Sequence, residues 1–123
     1  MNALKLSPLR KTWIFDMDGT LVVHDGYLRG GDVLLDGVKE FFAKIPSEDY
    51  ILILTAREPL YRELTSKFLN DNGIRYDDIL FGLPPGERIL INDRKPSGLV
   101  TAFAHNKDRD GAFDLDFEID GAL

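Results

Sequence analysis

Five consecutive residues, Asp16-Met17-Asp18-Gly19-Thr20, carry the strongest chemical signal in the chain. They follow a short apolar run, Trp13-Ile14-Phe15, and set two carboxylates two residues apart where the chain turns polar. One carboxylate can act as a covalent nucleophile, and a second beside it can move protons as general acid and base. Asp and Gly also favour turns, so the five residues taken alone describe an Asx-rich turn equally well. That reading leaves two other run ends unexplained. Thr55 closes Tyr50-Ile51-Leu52-Ile53-Leu54, and Asn92-Asp93 closes Ile89-Leu90-Ile91.

The elements that must position these residues follow from pattern. Trp13 to Phe15 reads as a buried strand that stops at Asp16. Gly19 to Gly37 holds five glycines, too many for a helix, and is expected to be a loop with a small hairpin over Gly26 to Val33. Asp36 is expected to cap a helix to about Lys44, with Val38, Phe41, Phe42 and Ile45 on one apolar face and Pro46 as its stop. Tyr50 to Leu54 is continuously apolar, as in a parallel strand covered on both faces. Pro59 suits the first turn of a second helix with Leu60, Tyr61, Leu64 and Phe68 inward and Gly73 as its end. A turn-rich stretch from Asp77 to Gly86 leads to a third strand at Ile89 to Ile91, and Val100 to Ala104 is a fourth candidate.

Strand, helix, strand, helix, strand implies an α/β fold. Right-handed crossovers make it a three-layer, doubly wound, Rossmann-like and mostly parallel sheet. Ligands in such sheets bind beyond the carboxyl ends of the strands, where Asp16, Thr55 and Asn92-Asp93 would stand. In the tail, Phe113, Leu115, Phe117 and Ile119 alternate with Asp114, Asp116, Glu118 and Asp120, an amphipathic edge strand with a solvated acidic face. Carboxylates on that face repeat at about 6.6–6.8 Å, too wide for neighbours to chelate one ion easily.

The chain has 123 residues, a length that fits one domain spanning 1–123, and 44% apolar content excludes wholesale disorder. The absence of cysteine excludes disulfides and thiolate metal sites, and two histidines leave little for zinc. A formal charge of −6 argues against a broad nucleic-acid footprint, so nucleic acid is an unlikely partner. No apolar stretch approaches the ~20 residues of a membrane span, and the protein is expected to be soluble and cytoplasmic.

The segment Ile14-Phe15-Asp16-Met17-Asp18-Gly19-Thr20-Leu21 resembles the first motif of the haloacid dehalogenase-like superfamily, whose members are mostly phosphatases. Leu52-Ile53-Leu54-Thr55 resembles its second motif and Ile89-Leu90-Ile91-Asn92-Asp93 its fourth, so the resemblance covers about residues 12–105. It implies that Asp16 attacks a phosphoryl group and becomes an aspartyl phosphate. Asp18 would protonate the leaving oxygen and then deprotonate the hydrolytic water. Thr55 would hydrogen-bond the phosphoryl oxygens. Mg²⁺, held by Asp16, the Asp18 carbonyl and Asp93, would neutralise the anionic substrate.

The family's basic phosphate ligand is expected near Phe81-Gly82-Leu83-Pro84, where Leu83 stands instead. Arg88 is the nearest upstream cation, but its place at a strand start suits it poorly. Lys95, two residues beyond Asp93, can supply the phosphate-binding cation, with Arg94 as competitor. Asn92 in place of an acid lowers the negative charge near the metal. Arg57 stands at the mouth of the site, either contacting substrate or pairing with Glu58 or Glu63. His24, on the glycine-rich loop, is near enough to reach a substrate, although a lone loop histidine is more often just exposed, and His105 is assigned no role.

Neither interval between motifs is long enough for an inserted cap domain, so the resemblance is to a cap-less phosphatase with an open cleft, which a homo-oligomer could close. The reading is a Mg²⁺-dependent phosphoric monoester hydrolase for a small phosphorylated metabolite such as a sugar phosphate. A catalytically weak phospholigand-binding domain, or a phosphotransferase using the same residues, is the alternative.

Overall fold

The computed structural model describes residues 3–123. In chain order its elements are β1 (Ala3–Leu6), β2 (Thr12–Asp16), α1 (Val38–Lys44), β3 (Tyr50–Leu54), α2 (Arg62–Asp71), β4 (Asp78–Leu80) and β5 (Asp116–Ile119). The fold is α/β, with parallel strands in two small sheets. One sheet runs β2-β3-β4 and the other pairs β1 with β5.

Register explains the core. Trp13 stands opposite Ile51, Phe15 opposite Ile53, and Ile53 opposite Ile79, so these side chains share one face. Phe41 and Phe42 of α1 land on that face. Phe42 lies 4.6 Å from Phe15 between ring centroids, and Phe41 meets Trp13 edge-on at 5.6 Å. Phe117 of β5 joins them at 4.9 Å from Trp13, which seats the small sheet against the same aromatic cluster. The opposite face holds Ile14, Leu52, Leu54 and Leu80, and it is incompletely covered: Ile14 and Leu80 are exposed. The expectation of a strand buried on both faces is therefore met on one face only.

Helix α1 has the expected buried face, Val38, Phe41 and Phe42 with Ile45 just beyond, but a different start. The cap position is Gly37, not Asp36, with φ of 88°. A Cβ at Gly37 would meet the Phe113 carbonyl, and Phe113 N–H donates to the Asp36 carbonyl at 2.6 Å. Close approach of the tail demands glycine there.

Helix α2 begins after a 3-10 turn at Pro59–Tyr61. That turn winds at about three residues per turn rather than about 3.6, which shifts the helix phase. Thr65 and Leu69 consequently face inward with Phe68 beside them, while Leu60 and Leu64, expected inside, are exposed.

The third sheet strand is Asp78–Leu80, inside the stretch expected to be turn. Ile89-Leu90-Ile91 and Val100 to Ala104, expected as strands, are irregular chain, with Ile89 84% and Ile91 89% exposed. Connectivity gives the reason. A parallel neighbour needs a crossover of a dozen or more residues, and only residues 81–88, with Gly82, Pro84, Pro85 and Gly86, follow β4. The tail strand is shorter than expected, Asp116–Ile119, and its partner β1 was not anticipated. Among the described residues no helix is long and apolar enough to cross a membrane.

Candidate functional site at the carboxyl ends of β2 and β3

Asp16 is the last residue of β2 and pairs in register with Leu54, so Thr55 leaves the sheet beside it. The same carboxyl-end edge therefore carries Asp16, Asp18 and Thr55, as expected. Thr20 Oγ1 donates to Asp16 Oδ2 at 3.0 Å, and Arg88 Nη1 donates to Oδ1 at 2.8 Å. The Asp16 carboxylate remains 38% exposed, so a ligand can reach it.

The loop after Asp16 is pinned by its own backbone. Leu21 N–H donates to the Met17 carbonyl at 2.9 Å, and Gly19 N–H donates to the Val22 carbonyl at 2.7 Å. Gly19 has φ of 84°, a left-handed turn conformation. The loop closes through a single antiparallel bridge between Val22 and Leu34, flanked by Val23 N–H donating to Val33 O at 3.0 Å and Leu35 N–H to Leu21 O at 2.9 Å. Gly26 to Val33, expected as a hairpin, begins with a 3-10 turn at Gly26–Leu28. A distant segment also seats on the loop. Asp110 N–H donates to the Gly19 carbonyl at 2.9 Å, and Lys107 Nζ reaches the same oxygen at 3.3 Å.

Thr55 is buried, and its hydroxyl oxygen accepts the Arg57 N–H at 3.0 Å, which fixes the backbone leading to Arg57. The Arg57 side chain is fully enclosed. Its Nε and Nη2 donate to the two oxygens of Asp18 at 3.0 and 2.9 Å. Nη1 and Nη2 donate to the two oxygens of Asp32 at 3.0 and 2.7 Å, and Nη1 also donates to Thr65 Oγ1 at 2.9 Å. All five guanidinium N–H groups are thereby used. The Tyr27 ring covers its face, 3.9 Å from the guanidinium carbon. Burial works against the Arg57 charge, but hydrogen bonds to Asp18 and Asp32 outweigh it and hold the pKa above the usual arginine value. Burial and the nearby Asp18 charge push the Tyr27 phenol up as well.

This arrangement corrects the reading of Arg57. Its partners are Asp18 and Asp32 rather than Glu58 or Glu63, and an enclosed guanidinium with every donor used has nothing left for a substrate. Asp32 and Thr65 were missed, and nothing in the sequence places Tyr27 over the guanidinium. Asp32 sits in Gly30-Gly31-Asp32, where spacing reads only as a turn.

Asp93, Arg94 and Lys95 lie on the exposed irregular segment. The Asp93 carbonyl accepts the Thr101 hydroxyl, and the Lys95 backbone closes a turn, its N–H donating to Leu99 O at 3.0 Å. The basic group at Asp16 is Arg88, the cation expected to be badly placed. Without a strand at 89–91, Arg88 is free to turn back toward β2. Among the described residues no group of three or more acidic or histidine side chains is placed to hold a metal ion. Asp16 and the backbone carbonyl of Asp18 are hard oxygen donors of the kind Mg²⁺ takes with retained waters. A cation held there would share the Asp16 carboxylate with Arg88.

No family model matches the chain, and no curated protein or solved structure matches it significantly.

Proposed function

We propose that the protein is a Mg²⁺-dependent phosphatase of the haloacid dehalogenase-like type, cap-less, acting on a small phosphorylated metabolite such as a sugar phosphate. The observation that carries the reading is an exposed carboxylate, Asp16, at a parallel strand end with Thr55 beside it and an arginine, Arg88, at hydrogen-bond distance. Asp16 attacks phosphorus and Thr55 steadies the phosphoryl oxygens. Arg88, already on the nucleophile, meets the charge that develops there. Each Asp18 oxygen accepts one bond from Arg57 and keeps a second lone pair, which leaves a position for the proton it carries to the leaving oxygen and from water. Mg²⁺ held by Asp16 and the Asp18 carbonyl would offset phosphoryl charge.

The three-layer, doubly wound arrangement belongs to the same proposal and is supported by the alternation β2-α1-β3-α2-β4. So do a cytoplasmic location and a second copy of the chain closing the open cleft. Turnover of a generic aryl phosphate with Mg²⁺ tests the reading. Asp16→Asn, nearly isosteric, should lower the rate by at least about 10³-fold with the fold intact. Full activity of that variant, or full activity in excess EDTA, overturns it.

A second reading has its own support, since both carboxylates are held by arginines: the domain binds phospholigands and turns them over weakly. Vanadate or inorganic phosphate binding without aryl phosphate turnover would select it. Transfer of the phosphoryl to added alcohols would identify a phosphotransferase.

A further inference from the structure

We propose that Arg57 is a positioning residue that locks Asp18 to the loop between Gly19 and Gly37 through Asp32, so that the acid–base carboxylate and the loop are held as one unit. The inference rests on the role proposed for Asp18 and adds a residue and a coupling to it.

The geometry is that of a two-sided clamp. One guanidinium takes a carboxylate on each side, Asp18 from the root of the loop and Asp32 from its far arm, each through two hydrogen bonds. Bidentate pairing fixes direction as well as distance. The third attachment, Thr65, anchors the clamp to α2, and the fourth, Tyr27, is stacked from within the loop. Tyr27 in turn meets Tyr61 edge-on at 4.8 Å, beside the first turn of α2. The Arg57 backbone is fixed too: its carbonyl accepts Gly82 N–H at 2.7 Å. Asp18 therefore cannot turn without disturbing the contacts that hold Asp32 and Tyr27, and the loop cannot lift without loosening Asp18.

The Asp32 side chain is 1% exposed and that of Asp18 16%. Asp32 is thus the structural side of the clamp and Asp18 the side that opens to the site. Core stability alone does not call for such a device, since well-packed apolar residues commonly do as well as buried ion pairs.

The test uses Asp32→Asn and Arg57→Lys. Neither change leaves a large void, and a lysine cannot bond both carboxylates bidentately. Amide hydrogen exchange at Val23, Leu28 and Gly31, each hydrogen-bonded within the loop, should speed about tenfold or more in Asp32→Asn, with Ile51 and Ile53 unchanged. Asp18→Asn should speed the same loop amides, because the coupling runs both ways. On an aryl phosphate, Asp32→Asn should lower kcat by about 10- to 100-fold with KM nearly constant, the signature of a misaimed group. Arg57→Lys should fall further.

Unchanged loop exchange in Asp18→Asn and Asp32→Asn overturns the clamp, whatever the activity. Faster exchange with unchanged kcat also overturns it, leaving Arg57 a purely structural tie. If the wild-type protein turns over no phosphate ester, the phosphatase reading fails separately, and the exchange data still decide whether Asp18 and the loop move as one.

Discussion

Arg57 and Ile91 mark opposite extremes of this molecule. The arginine is charged, and its side chain is fully enclosed with five hydrogen bonds. The isoleucine is apolar, ends a three-residue apolar run, and stands 89% exposed. Polarity alone would invert the two. Arg57 leaves a sheet strand with a carboxylate on each side of it, so its charge travels inward with its counter-charges. Ile91 follows β4 by too short a link to reach a parallel place in the sheet, so it has no surface to cover. What is buried here follows from connectivity and partners before it follows from hydropathy.

The largest test of that contrast is on stability. Ile53→Ala, in the enclosed half of β3, should cost about 2–5 kcal/mol of unfolding free energy. Ile91→Ala should stay within about 0.5 kcal/mol. Urea unfolding of both variants with a common m-value measures the difference, and equal losses would mean that Ile91 is packed in solution.

The next test separates two cations on the exposed segment. Arg88→Ala should lower kcat/KM by about 10²–10³, roughly 2.7–4 kcal/mol, the usual cost of one preorganised electrostatic donor. Lys95→Ala and Arg94→Ala should change it by less than about threefold, since neither side chain is held at Asp16. A large loss at Lys95 with little at Arg88 would restore the role first expected of Lys95.

The amount of this that was legible in the sequence follows the same division. The Asp16 motif, the α1 face, the β3 strand and Thr55 at its end were readable, because each is a local pattern with one period and one terminus. The tail strand was readable through its alternation, but its partner was not: Leu4 and Leu6 carry too short a pattern to separate a strand from a loop. The clamp was not readable either. Asp18, Asp32, Arg57 and Thr65 are brought together by tertiary folding, and no spacing encodes that. Ile89 to Ile91 was misread because an apolar triplet ahead of Asn92-Asp93 looks like β2 ahead of Asp16, and only the length of the preceding link tells them apart.

The smallest expected effect sharpens the enclosed half. Burial and the Asp18 charge raise the Tyr27 pKa, so the native state keeps the phenolic proton where the unfolded chain has released it. That contribution is fully present below about pH 10 and is lost as pH rises through the native pKa. Tyr27→Phe retains the ring over Arg57 and should flatten this part of the decline. Unfolding midpoints of both proteins at alkaline pH give the comparison, and parallel curves would show that Tyr27 is as solvated as an exposed tyrosine.

The β1–β5 pair has a consequence for how the chain is made. Ala3 finds its register partner at Asp116, so β1 has nothing to pair with until residues 116–119 have left the ribosome. The larger sheet needs only residues 12–80 and can form first. Closure of the smaller sheet is therefore a late event with a large loop to close. The chain's single tryptophan is placed to report it. Trp13 stands between Phe41, available early, and Phe117, which arrives last, so its emission should change in a separate final step during refolding.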